Sequence, residues 1–155
     1  MKFPKIKVNK SQIHGRGVFA NEPIKEDQKI IEYTGEKISG EEGDRRSEID
    51  DKLTYIFNLN EKYDIDGSVN GNDARLINHS CSPNAYIDYI NDHIWIIAEK
   101  DIAKGEEITY DYSFDADELE KCICGSKDCR GYLNDPDDDT TKKLLKEREK
   151  NSKKF

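Results

Sequence analysis

The sequence predicts a mostly β, α+β domain whose C-terminal segment is clipped back onto the body by a metal site. Three observations carry this. Short stretches of alternating and β-branched residues recur along the first 110 positions, a pattern of strands rather than of long helices. All four cysteines fall in two places: Cys81 inside the polar run Asn78-His79-Ser80-Cys81-Ser82-Pro83-Asn84, and Cys122, Cys124 and Cys129 in one C-x-C-x4-C cluster. At 155 residues, 34% apolar and 37% charged, the chain has the size of one ordinary domain with a modest core under a charged surface.

Taken in order, the candidate strands are 5–8, 17–20, 28–34, 53–59, 62–66, 85–90, 93–98 and 107–110. Ser39 followed by Glu41-Glu42 caps a short helix running to Asp50. Ala85–Ile90 and His93–Ile97 read as a hairpin around Asn91-Asp92, two residues that tolerate positive φ. Lys104-Gly105 supplies the turn into Glu107–Tyr112. After Asn134-Asp135-Pro136 the composition shifts to charged helix-formers with only Leu144 and Leu145 as large apolar residues. Positions 139–155 therefore read as a solvated helix or frayed tail.

No apolar run is long enough to span a bilayer. Met1-Lys2-Phe3-Pro4-Lys5 lacks the apolar h-region of a secretory signal. Four cysteines can make two disulfides in an exported protein, but Cys122 and Cys124 are too close to bond easily to each other. Reduced, metal-bound thiols in an intracellular compartment, cytoplasmic or nuclear, are the better reading.

The net charge of −8 conceals an asymmetry. Residues 142–155 hold seven Lys/Arg and two Glu, so the first 141 residues carry 18 basic against 31 acidic side chains, a charge of −13. Such a body repels phosphate backbones, which argues against direct nucleic-acid binding, and attracts basic partners. Charge that simply keeps the protein soluble explains the composition equally well.

Three further segments carry chemistry-bearing residues. In His14-Gly15-Arg16-Gly17-Val18-Phe19, two glycines around an arginine permit close backbone approach, although a tight turn entering a strand explains them too. In Gly71–Cys81, His79 beside Ser80 and Cys81 suggests a catalytic base, yet adjacent residues rarely face one another and no orienting third group is implied. Tyr110-Asp111-Tyr112 puts two tyrosines on one face of an extended segment, which is also ordinary strand packing.

In this order, however, the segments resemble the SET-domain protein lysine methyltransferases with a post-SET zinc motif. The resemblance runs from residue 12 to 134 through HGRGVFA, EYTGE (32–36), TYIFNL (54–59), RLINHSCSPN (75–84), GEEITYDY (105–112) and CICGSKDCRGYLN (122–134). It implies a SET domain over 1–113, a post-SET zinc segment over 114–134 and a charged tail over 135–155. No cysteine-rich segment precedes residue 12, so the domain reads as a near-minimal version.

The resemblance also implies a fold of small β-sheets with a C-terminal pseudoknot that brings Asn78-His79 beside Tyr112. The implied cofactor is S-adenosylmethionine, lined by His14, Gly15, Arg16, Gly17, Tyr55, Asn78 and His79. The implied lysine channel is formed by Tyr33, Tyr110 and Tyr112, with Tyr112 in the catalytic position. Cys81, Cys122, Cys124 and Cys129 would hold structural zinc. The implied activity is methyl transfer to a lysine ε-amine of a basic protein such as a histone. A SET fold that binds lysine peptides without turnover is the alternative, and a plain structural zinc module leaves HGRG and YDY unexplained.

Overall fold

The computed structural model describes residues 2–49 and 55–153. The expected strand positions 53–54, the helix end at Asp50 and the last two residues of the tail lie outside them. Among the described residues, ten strands form three small sheets, joined by a short 3₁₀ turn at Asp73–Leu76 and two helices.

The first sheet contains β1 (Ile6–Lys10), β2 (Arg16–Ala20), β7 (Asn78–His79) and β10 (Glu107–Tyr110) in the order β1-β2-β10-β7. The second is β3 (Lys29–Glu32), β9 (His93–Ala98) and β8 (Ala85–Ile90), ordered β3-β9-β8. The third is β4 (Glu36–Ser39), β6 (Tyr63–Asp66) and β5 (Ile56–Asn58), ordered β4-β6-β5. The hairpin β8–β9 turns through Asn91 (φ 51°) and Asp92 (φ 60°), the left-handed pair that its two-residue loop requires.

Two strands lie beyond the sequence reading. β4, Glu36-Lys37-Ile38-Ser39, has one large apolar residue and so no strand signature. It forms because antiparallel pairing with β6 sets Lys37 against Ile65 and Ile38 against Asp64. β7 is two residues long and exists only through its parallel pairing with β10, Thr109 with Asn78 and Tyr110 with His79.

Helix α1 (Gly40–Ile49) is capped as its sequence suggests, the Glu42 N–H donating to Ser39 Oγ at 3.2 Å. Arg46 ties it to the third sheet by donating to Glu36, Glu42 and Asp66 at 2.7–2.8 Å. Helix α2 (Asp139–Ser152) starts at the Asp138 cap, buries Thr141 and is otherwise largely solvated. The core is rich in isoleucine: Ile30, Ile77, Ile96, Ile102 and Ile108 are at most 1% exposed. Each such side chain contributes roughly 1.5–3 kcal/mol by burial. This core fixes β2, β7 and β10, on which the site is built.

Candidate active site

Ile108 and Tyr110 sit two apart on β10, both buried, and the chain carries the same two-residue spacing to Tyr112 and, past the left-handed turn at Ser113 (φ 47°), to Phe114. Rings therefore line up along one face. Tyr33 and Phe57 have centroids 4.5 Å apart, Phe57 and Tyr110 6.0 Å, Tyr110 and Tyr112 5.0 Å, and Tyr112 and Phe114 5.3 Å. The result is one aromatic column contributed by the end of β3, by β5 and by the segment after β10.

The hydroxyls of two tyrosines of that column are committed donors. Tyr33 Oη donates to the Tyr55 carbonyl and Tyr112 Oη to the Ile77 carbonyl, both at 2.6 Å. A phenol has one proton, so each oxygen is left with acceptor capacity only. Burial, then the neighbouring Asp66 charge, pushes the Tyr33 phenol well above its ordinary value. Burial, with Tyr55 and Glu107 nearby, does the same for Tyr112, and burial does so for Tyr110. All three are neutral around pH 7.

On the other side of β7, Asn78 Nδ2 donates to the carbonyls of His14 (3.1 Å) and Arg16 (3.0 Å) and to Glu107 Oε1 (2.9 Å). The Glu107 carboxylate also accepts from Ser11 Oγ. This network requires glycine at position 17, since a Cβ there would run into the Glu107 carboxylate. Gly15 takes φ 44° with open space around it, so the loop turns its backbone outward beside Asn78. The sequence 14–17 is thereby held as a backbone-rich ledge next to the aromatic column.

His79 faces the cysteines. The atoms His79 Nε2, Cys81 Sγ, Cys122 Sγ and Cys124 Sγ all lie within 4.8 Å of one another. The Cys129 thiol falls outside that group, although it is close enough to Cys122 and Cys124 to influence how their thiols titrate. The backbone sets the tautomer of the imidazole. Tyr112 N–H donates to His79 Nδ1 at 3.0 Å, whereas Asp111 Oδ1 stands 3.6 Å away, too far for a hydrogen bond. Burial pushes the His79 pKa down to about 4 against the opposing pull of Asp111, so the ring is neutral near pH 7. The neutral ring then carries its proton on Nε2, aimed at Cys81 Sγ 3.3 Å away. This N–H is directed at the sulfur and not at bulk solvent.

The thiols fit a tetrahedral zinc ion. Cys81 and Cys122 sulfurs are 3.8 Å apart, close to the ~3.8 Å expected for two thiolates at Zn–S of about 2.3 Å. Burial raises the Cys81 and Cys122 thiols. At Cys124, backbone N–H donors and neighbouring thiols outweigh burial and bring the pKa down to about 7.

The model of the SET domain family matches residues 15–113. The chain belongs to the SET-domain family. It is 42% identical over 137 residues to the histone-lysine N-methyltransferase trithorax of Drosophila virilis. It is 41% identical over 145 residues to the histone-lysine N-methyltransferase set-2 of Caenorhabditis elegans, and 42% identical over 139 residues to the human histone-lysine N-methyltransferase SETD1B. The alignments cover 83%, 86% and 84% of this chain but only 4%, 10% and 7% of those relatives' own lengths.

The SET domain thus brings Tyr33, Tyr110 and Tyr112 into one column, with Tyr55 joined to it through its carbonyl. It gathers His14–Gly17 against Asn78, and Cys81, Cys122 and Cys124 into one group with the His79 ring, with Cys129 outside it but near Cys122 and Cys124. The His79 side chain lies with the thiols and the Tyr112 backbone. Phe57 and Phe114 extend the column without having been singled out in the sequence; for Phe114 the two-residue spacing after Tyr110 and Tyr112 was the available signal. Glu107 gave none, because its role depends on a contact with Ser11 96 positions away. Among the described residues, no helix is long and apolar enough to cross a membrane.

Proposed function

We propose that this chain is an S-adenosylmethionine-dependent protein-lysine N-methyltransferase acting on a basic protein segment such as a histone tail. The observation that carries the reading is the aromatic column through Tyr110 and Tyr112, the Tyr112 hydroxyl being bound to Ile77 immediately before Asn78-His79. A lysine in the column and a cofactor on the ledge of His14, Gly15, Arg16 and Gly17 would meet at that strand. The Asn78 and His79 backbone and Tyr55 would complete the cofactor pocket.

S-adenosylmethionine supplies an electrophilic methyl group. The chain's share is to deliver a neutral amine in line. A lysine has an ordinary pKa near 10.4, and an aromatic channel disfavours its ammonium form by desolvation. Tyr33 and Tyr112, with their protons already given to carbonyls, offer oxygens that accept from the amine and hold it on the attack line. Their raised pKa values leave neither tyrosine as a base, so the ammonium proton is lost to solvent before attack. Tyr110, at the centre of the column, limits the room for further methyl groups and favours mono-methylation.

Cys81, Cys122, Cys124 and Cys129 would hold zinc in a closed, structural site over the 114–134 segment. A basic peptide is drawn to the acidic body, and β5, at the edge of its sheet, can pair with it as an added strand. A histone substrate implies work in a nucleus.

The test is incubation with labelled S-adenosylmethionine and histones or lysine-containing basic peptides, followed by mapping of methylated lysines by mass spectrometry. Incorporation lost in Tyr112→Phe is the expected result. Peptide and cofactor binding without any incorporation would replace this reading with that of a non-catalytic lysine-peptide binder.

A further inference from the structure

β10 ends at Tyr110, so the ladder that orients the first channel tyrosine does not extend to Asp111 and Tyr112. Side-chain contacts hold this stretch instead, and one residue of the C-terminal segment supplies two of them. Arg130 grips Asp111 with a two-pronged fork, Nη1 to Oδ2 at 2.8 Å and Nη2 to Oδ1 at 2.9 Å. The same Nη2 donates to the carbonyls of Leu133 (3.2 Å) and Asn134 (3.0 Å). The fork is sheltered, with Arg130 17% and Asp111 31% exposed, so it is a charge-assisted contact with limited screening.

Arg130 is anchored at its other end as well. It directly follows Cys129 in the C-terminal cysteine cluster. Its guanidinium lies 5.4 Å from the Tyr132 ring centroid. Asp111 Oδ1 also accepts from Ser113 N–H at 3.0 Å, within the left-handed turn at Ser113 (φ 47°). In an extended chain Asp111 points opposite to Tyr110 and Tyr112. A pull on its carboxylate therefore sets how both rings are presented in the column.

We propose that Arg130 is a positioning residue: through the Asp111 fork it transmits the order of the thiol-bound segment to Tyr110 and Tyr112. This rests on the reading of the aromatic column as a lysine channel. Arg130 touches no reacting atom. Without the fork, Asp111 is free to rotate and the tyrosine oxygens lose their alignment, a displacement of the kind that costs on the order of 10²-fold in rate.

The experiment compares Arg130→Gln, Arg130→Lys, Asp111→Asn and the Arg130→Gln/Asp111→Asn pair with the wild-type chain. It measures zinc content, cofactor affinity by calorimetry, kcat and KM on a basic lysine peptide, and hydrogen exchange at the Tyr112 amide. Arg130→Gln should keep its zinc and cofactor affinity while kcat falls about ten- to a hundredfold with a much smaller change in KM. Tyr112 N–H should exchange faster. The paired variant should lose little more than either single one, and Arg130→Lys, which keeps the charge but not the fork, should fall between.

Unchanged kcat in zinc-replete Arg130→Gln, or fully additive losses in the pair, would overturn the proposal. Should Arg130→Gln not fold, Arg130→Lys decides: wild-type kcat and wild-type Tyr112 exchange in that variant reject it. An active wild type with indifferent variants sinks only the role of Arg130. A wild type inactive on every basic peptide sinks the methyltransferase reading, and this proposal with it.

Discussion

The backbone N–H of Tyr112 donates to Nδ1 of His79 at 3.0 Å. That bond fixes the ring's remaining proton on Nε2, 3.3 Å from the Cys81 sulfur, and so joins the thiol cluster to the segment carrying Tyr110 and Tyr112 through one imidazole.

Zinc removal should accordingly act on the channel and not only on stability. With the thiols released, Cys81 no longer anchors His79, and the 114–134 segment loses its clip. Chelation is expected to abolish transfer and to raise hydrogen exchange at Tyr112 and across 114–134, while β8 and β9 keep their protection. Full activity in a chain shown to be zinc-free would sever this connection.

Tyr112→Phe removes one donor from the Ile77 carbonyl and the oxygen that aligns the amine. The stability cost should be about 0.5–1.5 kcal/mol, one ordinary hydrogen bond. Transfer should fall by about 10²-fold or more, because alignment is lost at the reacting atoms. Thermal unfolding and turnover of the same preparation separate the two effects, and undiminished turnover would remove Tyr112 from the catalytic position.

Tyr110 is buried in the middle of the column, 5.0 Å from Tyr112 and 6.0 Å from Phe57 between centroids. Tyr110→Phe trades a hydroxyl for space in the channel. The product should shift from mono- towards di- and tri-methyl-lysine, read by mass spectrometry of the modified peptide. Trimethyl-lysine as the main product of the wild-type chain would contradict the crowding argument.

What was legible in the sequence was whatever local periodicity or a dense motif encodes. The β8–β9 hairpin follows from alternation around Asn91-Asp92, and the thiol group from the two cysteine clusters. β4 and β7 were illegible because their stability comes from partners distant in sequence: a strand with one apolar residue and a two-residue strand have no signature of their own. The site divides in the same way. Tyr110 and Tyr112 announce themselves by spacing, but the Asp111–Arg130 fork, the hold of Glu107 on Asn78 and the pointing of His79 at Cys81 depend on how the C-terminal segment folds back. A histidine flanked by Asn and Ser in the sequence does not reveal that its proton is aimed at a sulfur.

The pH dependence of transfer should belong to the substrate. Burial raises the Tyr33, Tyr110 and Tyr112 phenols above their usual value near 10, so the folded state holds these protons more tightly than the unfolded chain. A group raised in this way contributes stability that is complete below pH 10 and is lost only as pH climbs beyond it. None of the three titrates between pH 7 and 9. A lysine amine does move towards its neutral form over that window, by about tenfold for each pH unit below its pKa. The logarithm of kcat/KM should therefore rise with a slope of about one from pH 7 to 9, and the residual activity of Tyr112→Phe should rise in parallel. A wild-type plateau near neutrality that vanishes in Tyr112→Phe would instead assign a titrating, base-like role to that phenol.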